Sequence, residues 1–176
     1  MTNTNLMRSL LRSVLLIVMA ALMLAGMTGC ALVERTSIPL PYGIKPGMTI
    51  SEMKAQAVAG GLRYDRGQYE FGFHTLFFEP STVLGEKTKF STVELVDDGR
   101  IMVDHYFSEG SQYGQDNPGP RYHRVREQLI AAYGMPAMES SGRCEWYSGC
   151  YRLYLAYLSN NMSEATLVLG YSYRPD

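Results

Sequence analysis

The spacing of hydrophobic positions changes along this chain from an unbroken run, to helical spacing, to alternation, and each rhythm predicts a different element. Val14 to Met27 contains no charged residue and follows Arg8 and Arg12. At about 1.5 Å per helical residue this run covers roughly 21 Å, short of a hydrocarbon core of roughly 30 Å, so it predicts the apolar part of an export signal. Residues 31–46 carry Pro39, Pro41 and Pro46 and predict an extended tether. A helix is then expected from Ile50 to Ala59. Thr49 and Glu52 have capping-box spacing, Met48 can staple on Met53, and Gly60-Gly61 supplies the stop.

After residue 61 the period shortens. Tyr69, Phe71, Phe73, Thr75 and Phe77 predict one strand face, with Leu76 and Phe78 apolar on the other side. Thr92–Val96 and Arg100–Phe107 flank Asp97-Asp98-Gly99, a hairpin signal that points Val93, Leu95, Ile101, Val103 and Phe107 at a common core. Residues 108–120 are rich in Gly and Pro and predict a loop. Tyr122, Val125, Leu129 and Ala132 then recur at helical spacing from Arg121 to Tyr133, before Gly134-Met135-Pro136. Strands are expected near 142–147, 150–158 and 165–173.

This order predicts an α+β fold, with helices packed on an antiparallel sheet. Residues 1–29 form the signal peptide, 30–46 the tether, and 47–176 a single domain of ordinary size. Within it, 47–108 and 120–173 share one order, a helix and then three strands, as a duplication would leave.

Charge narrows the partners. The chain has 16 basic and 17 acidic residues, and both Arg8 and Arg12 fall in the leader. The remaining domain is mildly acidic without a Lys/Arg run, which argues against nucleic acid. Of the three cysteines, Cys144 and Cys150 form an even pair in an exported chain. They predict a disulfide across a hairpin that reverses at Tyr147. A redox or zinc role is the competing reading, but the pair is not C-x-x-C and no histidine lies nearby.

The third cysteine closes Met27-Thr28-Gly29-Cys30, an apolar residue, two small residues and a cysteine. The segment resembles the lipobox of bacterial lipoproteins. The resemblance implies that Cys30 is the mature N-terminus and carries several acyl chains, enough for stable anchoring. Ala31 stands where inner-membrane retention commonly uses aspartate, which implies the outer membrane, with the domain on its periplasmic face. Gly47-Met48-Thr49 at the first helix and Leu129-x-x-x-Tyr133-Gly134-Met135-Pro136 at the second also resemble the SmpA/OmlA (BamE-like) lipoproteins and, more broadly, β-lactamase-inhibitor-protein-like modules. Such modules act by protein contact, which implies an envelope protein partner.

Catalytic chemistry is thinly represented. His105 shares a face with Ile101, Val103 and Phe107, and Asp104 beside it points the other way on a strand, so a triad with Ser108 fails locally. His74 is expected opposite the Tyr69/Phe71/Phe73 face, and His123 opens the second helix. No metal-ligand spacing, nucleophile elbow or phosphate loop is present, so neither enzyme activity nor a cofactor is expected. Aromatics are more suggestive. Trp146 and Tyr147, at the predicted disulfide-braced tip, are candidate protein-binding anchors. The reading is therefore a lipid-anchored, non-catalytic protein-binding or assembly accessory module. The alternative is a small-ligand or cell-wall-binding lipoprotein using the Tyr69/Phe71/Phe73 face.

Changing Cys30→Ala is expected to abolish metabolic labelling with radioactive palmitate and to release the chain from washed envelopes. Undiminished labelling would contradict the lipobox reading.

Overall fold

In the computed structural model, residues 37–158 and 165–175 are described. The leader and Cys30 lie outside them. The folded unit is Thr36–Asp176.

Helix α1, Ile50–Ala59, starts on a capping box: Thr49 Oγ1 accepts from the Glu52 amide at 3.3 Å, and Glu52 Oε2 accepts from the Thr49 amide at 2.7 Å. It ends in a Schellman motif. The Leu62 amide reaches Ala57 O at 3.0 Å, the Gly61 amide reaches Val58 O at 3.0 Å, and Gly61 takes φ 98°, which only glycine adopts cheaply. Helix α2, Pro120–Tyr133, has proline in its first turn and buries Tyr122, Val125 and Leu129.

The strands are β1 (Tyr64–Glu70), β2 (Phe73–Phe78), β3 (Thr82–Val83), β4 (Glu86–Lys87), β5 (Phe90–Val96), β6 (Ile101–Glu109), β7 (Met138–Ser140), β8 (Arg143–Ser148), β9 (Tyr151–Leu158) and β10 (Ala165–Tyr173). Eight of them form one antiparallel sheet in the order β1-β2-β5-β6-β10-β9-β8-β7, and β3 pairs only with β4. This corrects the expected class. Among the described residues a large eight-stranded sheet dominates the fold and two short α-helices are accessory to it, in place of the expected helices packed on an antiparallel sheet. Each half contributes four strands to the sheet where three were expected. The extra strand in the first half arises because 64–78 folds back on itself, and in the second half the short β7 precedes β8.

Alternation sorts the sheet into two faces. On the first, Val93, Val103, Tyr171, Leu153 and Trp146 lie in cross-strand register, and His105, Leu169, Leu155 and Cys144 form the next row. These residues share one hydrophobic cluster with Met53 and Ala57 of α1 and with Tyr122, Val125 and Leu129 of α2, except that His105 enters it as a buried polar group. The β3–β4 hairpin reaches across to α2. Glu86 binds Arg121 at 3.0 Å and Arg124 at 2.7 Å, and Arg121 also binds Glu109 at 2.8 Å. A short link from the first half thereby holds the second half's helix.

The expected tether also needs correction. Ile38, Leu40 and Ile44 are buried in the main cluster, and Tyr42 turns the chain at φ 62° to place its ring edge-on to His105. The segment is extended apart from a single 3-10 turn at Pro41–Gly43, and its buried aliphatic residues dock it. Its described part belongs to the domain. Ile38→Ala should accordingly destabilise the protein by about 2–5 kcal/mol in urea denaturation. A loss below about 0.5 kcal/mol, the size expected of a surface substitution, would restore the tether.

Candidate binding surface at one end of the sheet

The strand expected across 69–77 is a hairpin. Glu70 pairs with Phe73, and Phe71-Gly72 between them take φ 51° and φ 82°, the two left-handed residues of a type I′ turn. Phenylalanine is ill suited to this position, because Cβ meets the following carbonyl at a cost of roughly 1–2 kcal/mol. Phe71 gains nothing from the fold in return, since it is 95% exposed. Its surroundings are firmly held. The Asp97 amide donates to Gly72 O at 3.0 Å, and the Tyr69 hydroxyl donates to Asp97 Oδ2 at 3.1 Å. Tyr69, 56% exposed, lies over His74 with ring centroids 4.3 Å apart. His74 therefore shares a face with Tyr69, contrary to the expectation from a single strand. The tip is an exposed ring on a hydrogen-bonded turn, with Glu70 and Asp97 beside it.

The second face of the sheet is polar at its centre. Thr92, Asp104, Gly170, Tyr154 and Glu145 form one row across five strands. Gly170 has no side chain, and that gap lets the Tyr154 ring cross it and donate to Asp104 Oδ1 at 2.8 Å. A Cβ at 170 would collide with both groups. Burial pushes the Asp104 carboxyl up to about 6, although the Tyr154 and Tyr106 hydroxyls and the Arg152 charge oppose the shift. Burial also raises Glu94, with the Asp104 charge adding to it. Glu145 behaves oppositely. Burial would raise it, but hydrogen bonds from Arg152, Tyr147 and Arg143 outweigh that and hold it at about 2.

His105 sits on the first face, with Nδ1 2.8 Å from Ser91 Oγ and Nε2 3.5 Å from the Tyr42 hydroxyl. Burial lowers its pKa to about 4. The Ser91 and His105 side chains are closed to solvent, and Asp104 does point to the other face. Among the described residues no group of three or more His, Cys, Asp or Glu could hold a metal.

Other expected site residues are redistributed. Trp146 is 3% exposed and its indole N–H donates to Gly134 O at 2.8 Å, so it packs under the end of α2 and is unavailable as a surface anchor. Tyr147, on the opposite face, is 43% exposed with its hydroxyl on Glu145. The hairpin reverses at Gly149-Cys150, with Gly149 at φ 57° and Ser148 paired to Tyr151, two residues beyond the expected reversal at Tyr147. Cys144 consequently faces Leu155 and keeps a thiol beside the Tyr122 hydroxyl at 3.1 Å. Four strand residues place it about 13 Å from the turn, well outside the reach of a disulfide, so the expected Cys144–Cys150 bond is not formed. Phe71 was missed as a tip because it continues the alternation of its neighbours. The only signal was the glycine that follows it.

No family model, no curated protein and no solved structure matches this chain.

The buried ionisable groups predict a pH dependence with two opposed parts. Asp104 binds its proton more tightly folded than unfolded, so its contribution is present below pH 4 and is lost as pH rises to about 6, on the order of 3 kcal/mol. His105 binds its proton less tightly when folded, so it contributes a rise in stability between about pH 4 and 6.5. Asp104→Asn should therefore gain stability relative to wild type as pH rises through that window. Parallel urea-derived pH profiles for the two proteins would contradict this assignment.

Proposed function

We propose that this chain is a lipid-anchored envelope lipoprotein whose domain acts without chemistry of its own, by binding another protein through the Phe71 hairpin tip. One observation carries the reading: a phenylalanine held in a left-handed turn and 95% exposed. Backbone strain of this kind clusters at functional sites. Burying a phenylalanine in a partner's pocket yields about 1.5–3 kcal/mol, which more than offsets the local strain. The pre-set turn also spares the partner the cost of ordering it. Glu70 and Asp97 beside the turn favour a pocket with a basic rim.

The proposed anchor is Cys30, at the outer membrane and facing the periplasm. Eight residues link Cys30 to the docked Ile38, a reach of at most about 28 Å, so this anchor would keep Ile38 within that distance of Cys30. The leader and helix-start motifs that resemble the SmpA/OmlA lipoproteins support the same mode of action.

Phe71→Asn tests the reading directly, because it creates the Asn-Gly pair that type I′ turns favour. The variant should be as stable as wild type or more so, by roughly 0.5–1 kcal/mol, while failing to co-purify the envelope protein that wild type retains after mild crosslinking. Unchanged recovery from a stable variant would remove Phe71 from the interface.

A further inference from the structure

A second feature lies at the same end of the sheet, where β8 and β10 finish and β6 and β9 begin. A groove of about 730 Å³ opens there, within the size range of small-ligand sites. Its floor follows from strand register: Met102, Ser172, Arg152 and Tyr147 are consecutive cross-strand neighbours on the second face. Arg100 and Arg174 stand at its rim, and no carboxylate is among the lining residues. Three guanidinium groups thus converge in a chain whose acids outnumber its bases.

Each arginine is positioned by something other than a ligand. Arg152 is held by both oxygens of Glu145, at 3.0 and 2.7 Å, with its guanidinium over the Tyr154 ring. Arg100 follows the Asp97-Asp98-Gly99 turn, and only its Nε is taken, by Asp98 Oδ2 at 2.7 Å. Arg174 is fixed through its backbone, whose amide donates to Cys150 O at 3.0 Å. Asp98 thus pairs with Arg100 through Nε and its charge also acts on Arg174, and a guanidinium's planar fork matches an oxyanion in two-point contact. The Met102 stem, the Tyr147 ring and the Ser172 hydroxyl offer a mixed surface for the body that carries the anion.

We propose that this groove binds a phosphate or carboxylate group carried on a small polar body, with Arg100 and Arg174 gripping the anion and Met102, Tyr147 and Ser172 contacting that body. This site is independent of the Phe71 tip. The test is calorimetric titration of the detergent-solubilised lipoprotein with glucose 1-phosphate, glucuronate and glucose. A separate arm uses phosphatidylglycerol vesicles against phosphatidylcholine vesicles with the Cys30→Ala chain. The two sugar anions should bind and glucose should not, and Arg100→Gln with Arg174→Gln should weaken binding at least about tenfold without lowering the melting temperature. Binding to phosphatidylglycerol vesicles that exceeds binding to the free sugars would identify a lipid headgroup as the source of the same anion. Anion binding that is absent in both arms, or that persists unchanged in the double variant, would overturn the proposal.

Discussion

Nine consecutive residue pairs join β6 to β10, from Ile101 with Tyr173 to Glu109 with Ala165, and the other features depend on that register. No hairpin connects these two strands, because a loop, α2 and three further strands lie between them in sequence. Closing so long a segment has an entropic cost that grows only slowly with length. The return is one sheet in place of two four-stranded ones. A slip by one residue would exchange the faces, putting Asp104 into the apolar cluster and His105 outside it. The bulky side chains that flank His105 on the first face, Val103, Phe107, Leu167, Leu169 and Tyr171, make that exchange costly.

The same register builds the polar row and the groove. Gly170 lies between Asp104 and Tyr154 only in this alignment, and Ser172 separates Met102 from Arg152 for the same reason. The strand ends then carry the Phe71 turn, the Asp97–Gly99 turn, the Gly149-Cys150 turn and Arg174 at one end of the sheet. Hydrogen bonds tie two of these turns together, through Asp97 to Gly72 and to Tyr69. The result is one sheet end at which two neighbouring turns brace each other.

Legibility in the sequence followed the locality of the signals. The first helix was readable to its caps, since Thr49, Glu52, Gly60 and Gly61 each act within one turn of chain. The β5–β6 hairpin was readable because Asp97-Asp98-Gly99 is a familiar turn between alternating runs. The β1–β2 hairpin was not, because Phe71 occupies a position normally held by Asn, Asp or Gly and its ring keeps the apolar alternation intact. Leu84-Gly85, at φ 50° and 77°, repeats that disguise between β3 and β4. The cysteine pairing failed on a two-residue error in turn position, enough to separate Cys144 from Cys150. Trp146 was misassigned because a strand residue next to a turn can face either side, and only its register with Leu153 decides. The arginine groove could not be read locally at all, since its residues come from β6, β9 and the end of β10.

The central claim is that a protein partner contacts the Phe71 tip in the envelope. It is tested most directly by placing a photo-crosslinking amino acid at position 71, and separately at position 147 on the second face, in cells carrying the full lipoprotein. A single discrete protein adduct from position 71, with little or none from 147, is the predicted result. No adduct at 71 together with a strong one at 147 would contradict the account and move the interface onto the sheet face.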